Sequence, residues 1–320
     1  MSHIDVLSVT KLSPLLEPQL RAVFNLHDRV HETDPAAFAK IAPSIRAIAA
    51  SGESKVPASL IAQLPALEII SVFGVGYDGV DVAAAKARNV MVTHTPNVLN
   101  DDVADLAIGL MLAAARQLPA ADRYVKEGQW PNGPMPLARK VSGARLGIVG
   151  MGRIGQAIAQ RGLAFNMSIA YTARSAKADI PYQYFPNPTA LAAACDYLVV
   201  ITPGGAATRK LINAEVLQAL GTKGILVNVA RGSVVDEAAL IEALQNGVIG
   251  GAGLDVFWDE PRVPAEFRTL SNVVLTPHIG SHTEETRRAM ADLTMANLRA
   301  FYAKQPVPTP VPECQASALT

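Results

Sequence analysis

Residues 146–161, LGIVGMGRIGQAIAQR, decide the fold of the chain. They contain the glycine spacing Gly150-x-Gly152-x-x-Gly155. The apolar run before the glycines predicts a buried strand, and the pattern of Ile154–Ala164 after them predicts an amphipathic helix. A glycine-rich turn between a strand and a helix is the context that a dinucleotide-binding fingerprint requires. Outside that context the same spacing is an ordinary glycine-rich turn.

Each glycine has a separate physical role in such a fingerprint. Gly150 allows the tight turn, Gly152 lets the backbone approach a pyrophosphate, and Gly155 lets the helix pack close to the strand. The N–H groups at the start of the helix, near Arg153 and Ile154, would then face the diphosphate. These five residues are therefore candidate cofactor contacts.

The next strand ends in MSIAYTARSAK, residues 167–177, and this end selects the type of dinucleotide. An NAD site usually carries an acidic residue about 20 positions beyond the glycines, where it binds the ribose hydroxyls. Thr172 stands there instead. Arg174 can pair with a 2′-phosphate, and Thr172 or Ser175 can donate hydrogen bonds to it. We therefore predict NADP(H) as the cofactor, with a solvated loop arginine as the alternative.

Strand-like and helix-like runs alternate on both sides of the fingerprint, which predicts parallel sheets with helices on their faces. A length of 320 residues suggests two domains. The strands predicted before the fingerprint are Ile4–Val9, Ala47–Ala50, Leu67–Val72 and Val90–Val92. Six strands predicted from residue 145 onward suit a doubly wound dinucleotide fold. They are Leu146–Val149, Ser168–Thr172, Tyr197–Ile201, Ile225–Val229, Gly251–Val256 and Val273–Leu275.

A long apolar helix is predicted between the two series of strands. Asn100 is a suitable N-cap for it, and apolar and alanine residues continue to about Leu118. The Pro- and Gly-containing residues 128–144 predict a loop. A last helix, Glu284–Tyr302, precedes the Pro-rich tail QPVPTPVPE, which we expect to be extended.

Three segments in the last third of the chain carry residues typical of a reductase site. Each follows a predicted strand, at the end where α/β folds place their functional groups. Alone, each residue has an ordinary structural explanation, but their joint occurrence beside the glycine fingerprint favours catalysis. The segments are NVARGSVVD with Arg231, LDVFWDEP with Glu260, and LTPHIGSHT with His278.

These residue types match the reduction of a keto group, in which a hydride reaches the carbon and a proton reaches the oxygen. His278 can supply the proton because the ordinary pKa of histidine, about 6.5, lies near working pH. A neighbouring Glu260 would raise the pKa of His278 by about 1–3 and fix the ring orientation. Arg231 can hold the substrate carboxylate and polarise the carbonyl with its planar guanidinium.

The sequence strongly resembles the D-isomer-specific 2-hydroxyacid dehydrogenase family over nearly its whole length. The matching segments are SVFGVGYDGVD, HTPNVLNDDVADLAIGLMLAAAR, GIVGMGRIG, VNVARGSVVDEAALIEAL, GAGLDVFWDEP and TPHIGSHTEETR. The resemblance implies that Arg231, Glu260 and His278 are the catalytic residues. Through YTARS and PGGAAT the chain looks most like the glyoxylate/hydroxypyruvate reductase branch. That likeness implies reduction of these small 2-keto acids with NADPH.

The resemblance also implies an architecture of two doubly wound parallel-sheet domains. A Rossmann cofactor domain, residues 99–283, would be inserted in a flavodoxin-like substrate domain, residues 1–98 and 284–320. Catalysis would take place in the cleft, and hinge closure would exclude water from the transfer. A homodimer would form through the cofactor domain, and the helix from Asn100 would contribute to the interface.

Further contacts with substrate and cofactor follow from the same resemblance. Main-chain amides of Val75 and Gly76 would bind the substrate carboxylate together with Arg231. Asp255 would contact the nicotinamide carboxamide. The expected cofactor contacts outside the glycine turn and the 2′-phosphate region are Thr202, Pro203, Thr208, Val229, Asp255, His278 and Gly280.

Composition narrows the class of protein further. Lys+Arg and Asp+Glu both number 28, so the net charge gives no reason to expect nucleic acid or an anionic membrane as a partner. Cys195 and Cys314 give no disulfide framework and suit a reducing compartment. The N-terminus lacks the pattern of a signal peptide, and the apolar run 103–116 is shorter than the about 20 residues that span a bilayer. We expect a cytoplasmic protein without a metal site.

Several alternatives remain open from the sequence. Another member of the same family would act on 2-ketogluconate, phenylpyruvate or D-lactate. Formate dehydrogenase is disfavoured because its likeness would place glutamine at Glu260, and phosphoglycerate dehydrogenase is disfavoured by the missing ribose-binding acid. A protein of another class, a dinucleotide-sensing corepressor, would keep the three catalytic residues but would resemble NAD binders. Trp258 either packs against the domain or shapes a pocket for larger 2-keto acids.

Overall fold

The computed structural model describes residues 4–319, and the chain divides into two compact units. The first unit comprises Met1–Leu99 and Thr283–Thr320, and the second comprises Asn100–His282. Both are α/β units built on parallel sheets, which confirms the predicted fold class.

The borders between the units differ by one residue each from the predicted 98/99 and 283/284. Thr283 belongs with the C-terminal helix, because its hydroxyl accepts a hydrogen bond from the backbone N–H of Thr286 at 3.3 Å and so caps that helix. The roles of the two units, substrate binding and dinucleotide binding, stay predictions.

The first unit contains a five-stranded parallel sheet. Its strands are β1 (Asp5–Ser8), β2 (Asn25–Asp28), β3 (Ile45–Ser51), β4 (Ile69–Phe73) and β5 (Met91–Thr93). Its N-terminal helices are α1 (Glu17–Arg21), α2 (Val30–Thr33), α3 (Pro35–Ile41), α4 (Ala58–Ala62) and α5 (Val82–Ala87). The order β2-β1-β3-β4-β5 is that of flavodoxin-like folds. All five residues of β4 are buried, as expected for a parallel strand covered on both faces.

Four short elements of this unit, α1, β2, α2 and α3, are not predicted by the sequence pattern. β2 lies at the edge of the sheet, and only Leu26 among its four residues is buried. The three helices have four to seven residues, with at most one buried side chain each. Such short elements do not develop the apolar periodicity on which the prediction depends.

The second unit contains a seven-stranded parallel sheet. Its strands are β6 (Arg145–Val149), β7 (Ser168–Thr172), β8 (Gln183–Tyr184), β9 (Tyr197–Val200), β10 (Ile225–Asn228), β11 (Gly251–Leu254) and β12 (Val273–Leu275). Its helices are α6 (Asn100–Ala115), α7 (Leu118–Lys126), α8 (Arg153–Ala164), α9 (Pro188–Ala193), α10 (Ala214–Leu220), α11 (Glu237–Gln245) and α12 (Ala265–Thr269). The chain then returns to the first unit through α13 (Glu284–Tyr302).

The strand order of this sheet is β12-β11-β10-β9-β6-β7-β8, which contains the 3-2-1-4-5-6 order of Rossmann folds with one further strand. The prediction of six strands is wrong by one, because β8 has only two residues and neither is buried. The order reverses at β6, whose two neighbours in the sheet are β7 and β9. Open α/β sheets bind ligands at the carboxyl ends of strands at such a point.

The long helix predicted from Asn100 to about Leu118 is two helices in the structure. α6 includes Asn100 rather than being capped by it, and α6 ends at Ala115. Gln117 has a left-handed backbone with φ of 51°, and Pro119 stands in the first turn of α7. A proline clashes with the carbonyl four residues before it, which here belongs to Ala115, so the first helix cannot continue past this point.

Helix α6 packs inside its own unit, against α8, β10 and β11. Within residues 4–319 no single helix has the length and apolarity to cross a bilayer. α6 and α7 satisfy that criterion only as a pair, with a bend of 58° at their junction. Residues 128–144 form the predicted loop, apart from one 3-10 turn at Trp130–Asn132.

The prediction of an extended C-terminal tail is wrong in part. Pro310 pairs with Thr93 in an antiparallel bridge, so the first half of the tail is extended alongside β5. Residues Pro312–Leu319 then form a 3-10 helix. Proline is tolerated at the start of a helix, where its missing N–H has no acceptor to lose, so the proline content does not exclude this turn.

Candidate active site

Two positions in the turn of the fingerprint, Gly150 and Gly155, can only be glycine. Gly150 has a φ of +106°, and a Cβ atom there would lie 2.8 Å from the carbonyl oxygen of Ile201. A Cβ atom on Gly155 would collide with the backbone oxygen of Gly150. The turn therefore brings the start of α8 directly against the ends of β6 and β9.

The N-terminus of α8 is open toward a ligand. Gly152 occupies the N-cap position and no side chain caps the helix. A Cβ atom on Gly152 would meet nothing within 4 Å, so the backbone faces open space. Arg153 is exposed and Ile154 is partly buried in the first turn. Uncapped N–H groups beside such a space fit a diphosphate.

The segment after β7 carries the predicted 2′-phosphate contacts. Arg174 and Ser175 are exposed, whereas Thr172 is only 5% exposed at the end of the strand. Tyr171, which the sequence pattern does not single out, supports this turn, because its hydroxyl accepts a hydrogen bond from Lys177 N at 2.8 Å. Access to a ligand therefore favours Arg174 and Ser175 over Thr172.

The remaining predicted cofactor contacts follow β9 and β10, the strands next to β6 on its other side. Thr202 and Pro203 come after β9, and the Thr208 hydroxyl donates to the Pro203 carbonyl at 2.7 Å. Val229 follows β10 and is 7% exposed. These residues and the glycine turn all lie at the carboxyl edge of one sheet.

His278 and Glu260 form a short pair at the same edge. His278 Nδ1 lies 2.6 Å from Glu260 Oε2, and the other carboxylate oxygen accepts from Phe257 N at 2.8 Å. Burial raises the pKa of Glu260, but the hydrogen bond and charge of His278 outweigh this and hold that pKa below its ordinary value. The carboxylate is therefore ionised and orients the imidazole.

Asp255 organises the segment that carries His278. It is 1% exposed, and its carboxylate accepts hydrogen bonds from the Thr276 hydroxyl at 2.7 Å, Ile279 N at 2.8 Å and Gly280 N at 2.9 Å. Its backbone oxygen accepts from His278 N at 2.9 Å. Burial raises the pKa of Asp255, while these donors lower it. The contact predicted between Asp255 and a nicotinamide carboxamide stays a prediction.

The position of Arg231 is fixed by a close contact between the backbone of its loop and that of a neighbouring loop. A Cβ atom on Gly232 would collide with the backbone of Phe257 and Trp258, so only glycine fits between the loop after β10 and the loop after β11. Asn228, which the sequence pattern does not single out, donates to the Arg231 carbonyl at 3.1 Å. After the larger effects of burial and His278, the positive charge of Arg231 also helps to hold the pKa of Glu260 below its ordinary value.

Trp258 packs against its own unit. The Arg209 guanidinium lies 4.8 Å from the centre of the indole ring, and Lys210 Nζ lies 5.8 Å from it. The backbone N–H of Trp258 donates to Glu237 Oε2 at 3.1 Å. Burial raises the pKa of Glu237. Of the two explanations for this bulky residue, packing is the one that these contacts support.

Val75 and Gly76 lie in the first unit, in the loop that follows β4. Both are partly buried. Their position at the carboxyl end of a central strand is typical of a ligand-binding loop in an open α/β sheet.

Comparison with known proteins gives a consistent result. The profile described as D-isomer specific 2-hydroxyacid dehydrogenase, NAD binding domain, matches residues 108–280. Glyoxylate/hydroxypyruvate reductase A from Arabidopsis thaliana is 46% identical, over 97% of this chain and 100% of its own length. Hydroxyphenylpyruvate reductase from Plectranthus scutellarioides is 47% identical, over 97% and 100% respectively. The crystal structure of an NADPH-dependent glyoxylate/hydroxypyruvate reductase from Sinorhizobium meliloti, in complex with NADP and malonate, has a TM-score of 0.92 and 46% identity over 98% of both chains.

A pH-dependent stability difference should distinguish wild type from Glu260→Gln. Because folding lowers the pKa of Glu260, its carboxylate stabilises the folded state above the ordinary pKa of 4.5, and this stabilisation is lost as the pH falls through the folded value. The difference in free energy of unfolding between the two proteins should stay constant above about pH 5 and shrink as the pH falls below about 4.5, measured by urea denaturation. The exposed Glu284, replaced by Gln, is the control. An unchanged difference for Glu260→Gln over this range would contradict the pairing with His278.

Proposed function

The chain belongs to the D-isomer-specific 2-hydroxyacid dehydrogenase family, and from this premise we propose that it reduces glyoxylate and hydroxypyruvate to 2-hydroxy acids with NADPH. Family membership makes it an oxidoreductase with a nicotinamide dinucleotide cofactor. The proposal rests chiefly on the 2.6 Å pair of His278 and Glu260, in the same unit as the glycine turn. Full-length likeness to reductases named for these two acids supports the substrate class.

His278 is the general acid of the proposed reaction. Its Nδ1 atom is engaged with Glu260, so Nε2 is the atom that delivers a proton to the keto oxygen. The negative charge of Glu260 favours the imidazolium form before this transfer. When bound, the reduced nicotinamide supplies the hydride that the keto carbon receives. One hydride on carbon and one proton on oxygen give the 2-hydroxy acid.

Substrate binding is divided between a side chain and the backbone in this proposal. Arg231 holds the substrate carboxylate and polarises the keto group with its planar guanidinium. The N–H groups of Val75 and Gly76 donate to the same carboxylate. Asp255 accepts three hydrogen bonds within its unit, and an ionised carboxylate has about four acceptor positions. One position therefore suits the carboxamide N–H₂ of a nicotinamide.

The preference for NADP(H) rests on the turn after β7. Position 172 carries a threonine rather than a carboxylate, which would repel a 2′-phosphate. Arg174 and Ser175 are both exposed in the same turn. An arginine guanidinium pairs with phosphate oxygens through two parallel hydrogen bonds. The similar Sinorhizobium meliloti reductase was crystallised with NADP, which agrees with this assignment.

A larger 2-keto acid is the second candidate substrate. The relative at 47% identity is named for hydroxyphenylpyruvate, an aromatic 2-keto acid. The packing of Trp258 against Arg209 does not by itself favour the larger substrate, because the ring already has partners in its own unit. Initial rates of NADPH oxidation with glyoxylate, hydroxypyruvate, hydroxyphenylpyruvate and 2-ketogluconate would rank the candidates. Absence of turnover with all of them would support the corepressor alternative.

Replacing His278 with Ala should lower kcat by about 10²–10⁴-fold, the usual contribution of a general acid, while the cofactor still binds. Steady-state kinetics and fluorescence titration with NADPH measure the two quantities. His282→Ala, at an exposed histidine four residues along the chain, is the matched control and should retain wild-type turnover. Near wild-type kcat in His278→Ala would remove this residue from its proposed role.

Replacing Arg174 with Asp should shift preference from NADPH to NADH, because a carboxylate repels the 2′-phosphate and can accept from ribose hydroxyls. The ratio of kcat/KM for NADPH to that for NADH is the measurement, and we expect it to fall at least about tenfold, as one lost charge-assisted contact would produce. Arg153→Asp is not a suitable control, because Arg153 is itself a proposed diphosphate contact. Lys177→Asp, three residues beyond Arg174, serves instead. An unchanged NADPH affinity in Arg174→Asp would reject the contact.

We also propose a homodimer through the second unit, in which exposed apolar side chains join the expected contribution of the helix from Asn100. One face of α6 is buried inside the subunit, whereas Leu106 and Leu112 are only partly buried. Large apolar side chains are also exposed on α7 and the loop after it: Leu118 at 50%, Val125 at 56%, Trp130 at 67% and Leu137 at 100%. Several large exposed apolar side chains on one stretch of chain suit a protein interface.

Sedimentation velocity should then give a dimer for the wild-type chain and a monomer for the double variant Trp130→Asp/Leu137→Asp, because charges at a buried interface are costly. Leu163→Asp is the control, at another exposed leucine in the same unit, and should stay dimeric. A monomeric wild-type protein at micromolar concentration would refute the dimer. A dimeric double variant would refute the interface.

A further inference from the structure

The loop of the first unit that contains Val75 and Gly76 is held by its carbonyl oxygens. Thr95 N donates to the Gly74 carbonyl at 2.8 Å, and His94 Nδ1 lies 2.9 Å from the Val75 carbonyl oxygen. A carbonyl oxygen can only accept, so His94 carries its proton on Nδ1 in this contact. Two consecutive peptide groups are therefore fixed by two consecutive residues after β5.

Because each peptide group is planar, these contacts also fix the direction of the N–H group that follows each carbonyl. In a trans peptide the C=O of one residue and the N–H of the next point in opposite directions within one plane. Fixing the Gly74 carbonyl therefore aims the Val75 N–H, and fixing the Val75 carbonyl aims the Gly76 N–H. These are the two amides assigned to the substrate carboxylate, and each is directed away from the 94–95 segment.

The loop also has little freedom to rearrange around these contacts. A Cβ atom on Gly74 would lie 3.0 Å from the Gly52 backbone, so the chain is already packed tightly at its start. The Tyr77 hydroxyl donates to Glu313 Oε2 at 3.1 Å at its other end. The rings of Tyr77 and His94 meet edge to face, with centroids 5.3 Å apart. His94 thus contacts the loop through both its donor and its ring.

His94 is itself anchored by the C-terminal segment. The Thr309 hydroxyl donates to the His94 carbonyl at 2.6 Å, and His94 N donates to the Thr309 carbonyl at 3.2 Å. Thr309 is held in turn by Asn297 of α13, which is completely buried and forms two hydrogen bonds with it, at 2.8 and 2.9 Å. A rigid chain of contacts therefore runs from α13 through His94 to the Val75–Gly76 peptide.

We propose that His94 is a positioning residue that aims the Gly76 amide at the substrate carboxylate, with Thr309 and Asn297 fixing its backbone. The inference rests on the proposed function, because it assumes that the Val75 and Gly76 amides bind a 2-keto acid. An amide aimed before the substrate arrives loses little freedom on binding, so the carboxylate is bound more tightly. The effect acts on substrate affinity and leaves the hydride and proton transfers to the groups of the second unit.

Two replacements of His94 separate the hydrogen bond from packing. His94→Phe keeps a ring against Tyr77 and removes the donor. His94→Asn places an amide N–H₂ where Nδ1 stands and restores the donor. We expect His94→Phe to raise the KM for hydroxypyruvate by about 3- to 10-fold, the range for loss of one hydrogen bond, with kcat and the KM for NADPH within about twofold. His94→Asn should stay within about twofold of wild type in all three constants.

A binding measurement gives a readout that does not depend on turnover. Oxalate, a two-carbon dicarboxylate, serves as the probe, and its affinity in the presence of NADPH is measured by calorimetry. His94→Phe should weaken oxalate binding by the same factor as it raises the KM. His27→Phe is the matched control, because His27 lies in the same unit but bonds to Asp5 on the β1–β2 edge. It should leave oxalate affinity unchanged.

The outcomes distinguish failure of the positioning role of His94 from failure of the proposed function. If the wild-type enzyme turns over and His94→Phe has an unchanged KM and oxalate affinity, the positioning role is wrong and the proposed function stands. If Phe and Asn impair the enzyme equally, His94 acts only through packing and the inference is also wrong. If the wild-type protein neither binds oxalate nor reduces any 2-keto acid, the proposed function fails and the inference fails with it.

Discussion

The buried carboxylate of Asp255 is the interaction on which the catalytic segment depends. Moving an ionised carboxylate out of water is costly unless donors replace the lost water molecules. Three donors do so here, one hydroxyl and two backbone N–H groups, and all three come from residues 276–280. His278 lies inside this stretch with a positive φ of 52°. The charge at the end of β11 thus fixes the backbone from which the imidazole extends.

Three different contacts hold the functional groups of the second unit, two of them acting on His278 and one on the loop of Arg231. A carboxylate clamp fixes the loop after β12, the Glu260 carboxylate fixes the ring of His278, and a glycine contact at Gly232 fixes the loop that carries Arg231. Because β10, β11 and β12 are consecutive in the sheet, these loops are neighbours although they are distant in sequence. Parallel pairing alone brings the loops together, and the three contacts set their detailed geometry.

The sequence predicts those parts of the fold and site in which residue type determines chemistry. The glycine spacing, the acid–histidine–arginine set and the long buried strands all belong to this class. Residues whose role depends on a hydrogen bond across a loop escape prediction, because any polar residue in a turn presents the same local pattern. They include Tyr171, Asn228 and His94. The break between α6 and α7 is predictable in principle, because Pro119 disfavours a continuous helix. The uninterrupted apolar pattern around it nevertheless favours one long helix.

The discontinuous first unit has a consequence for the order in which the protein is made. Helix α13 packs on β4, and Pro310 pairs with β5, yet both follow the inserted unit along the chain and leave the ribosome after it. The inserted unit, residues 100–282, is complete in the chain well before them. During synthesis the N-terminal sheet therefore stays incomplete while the inserted unit is already finished, and the fully buried strand β4 lacks one of its covering helices until α13 has emerged.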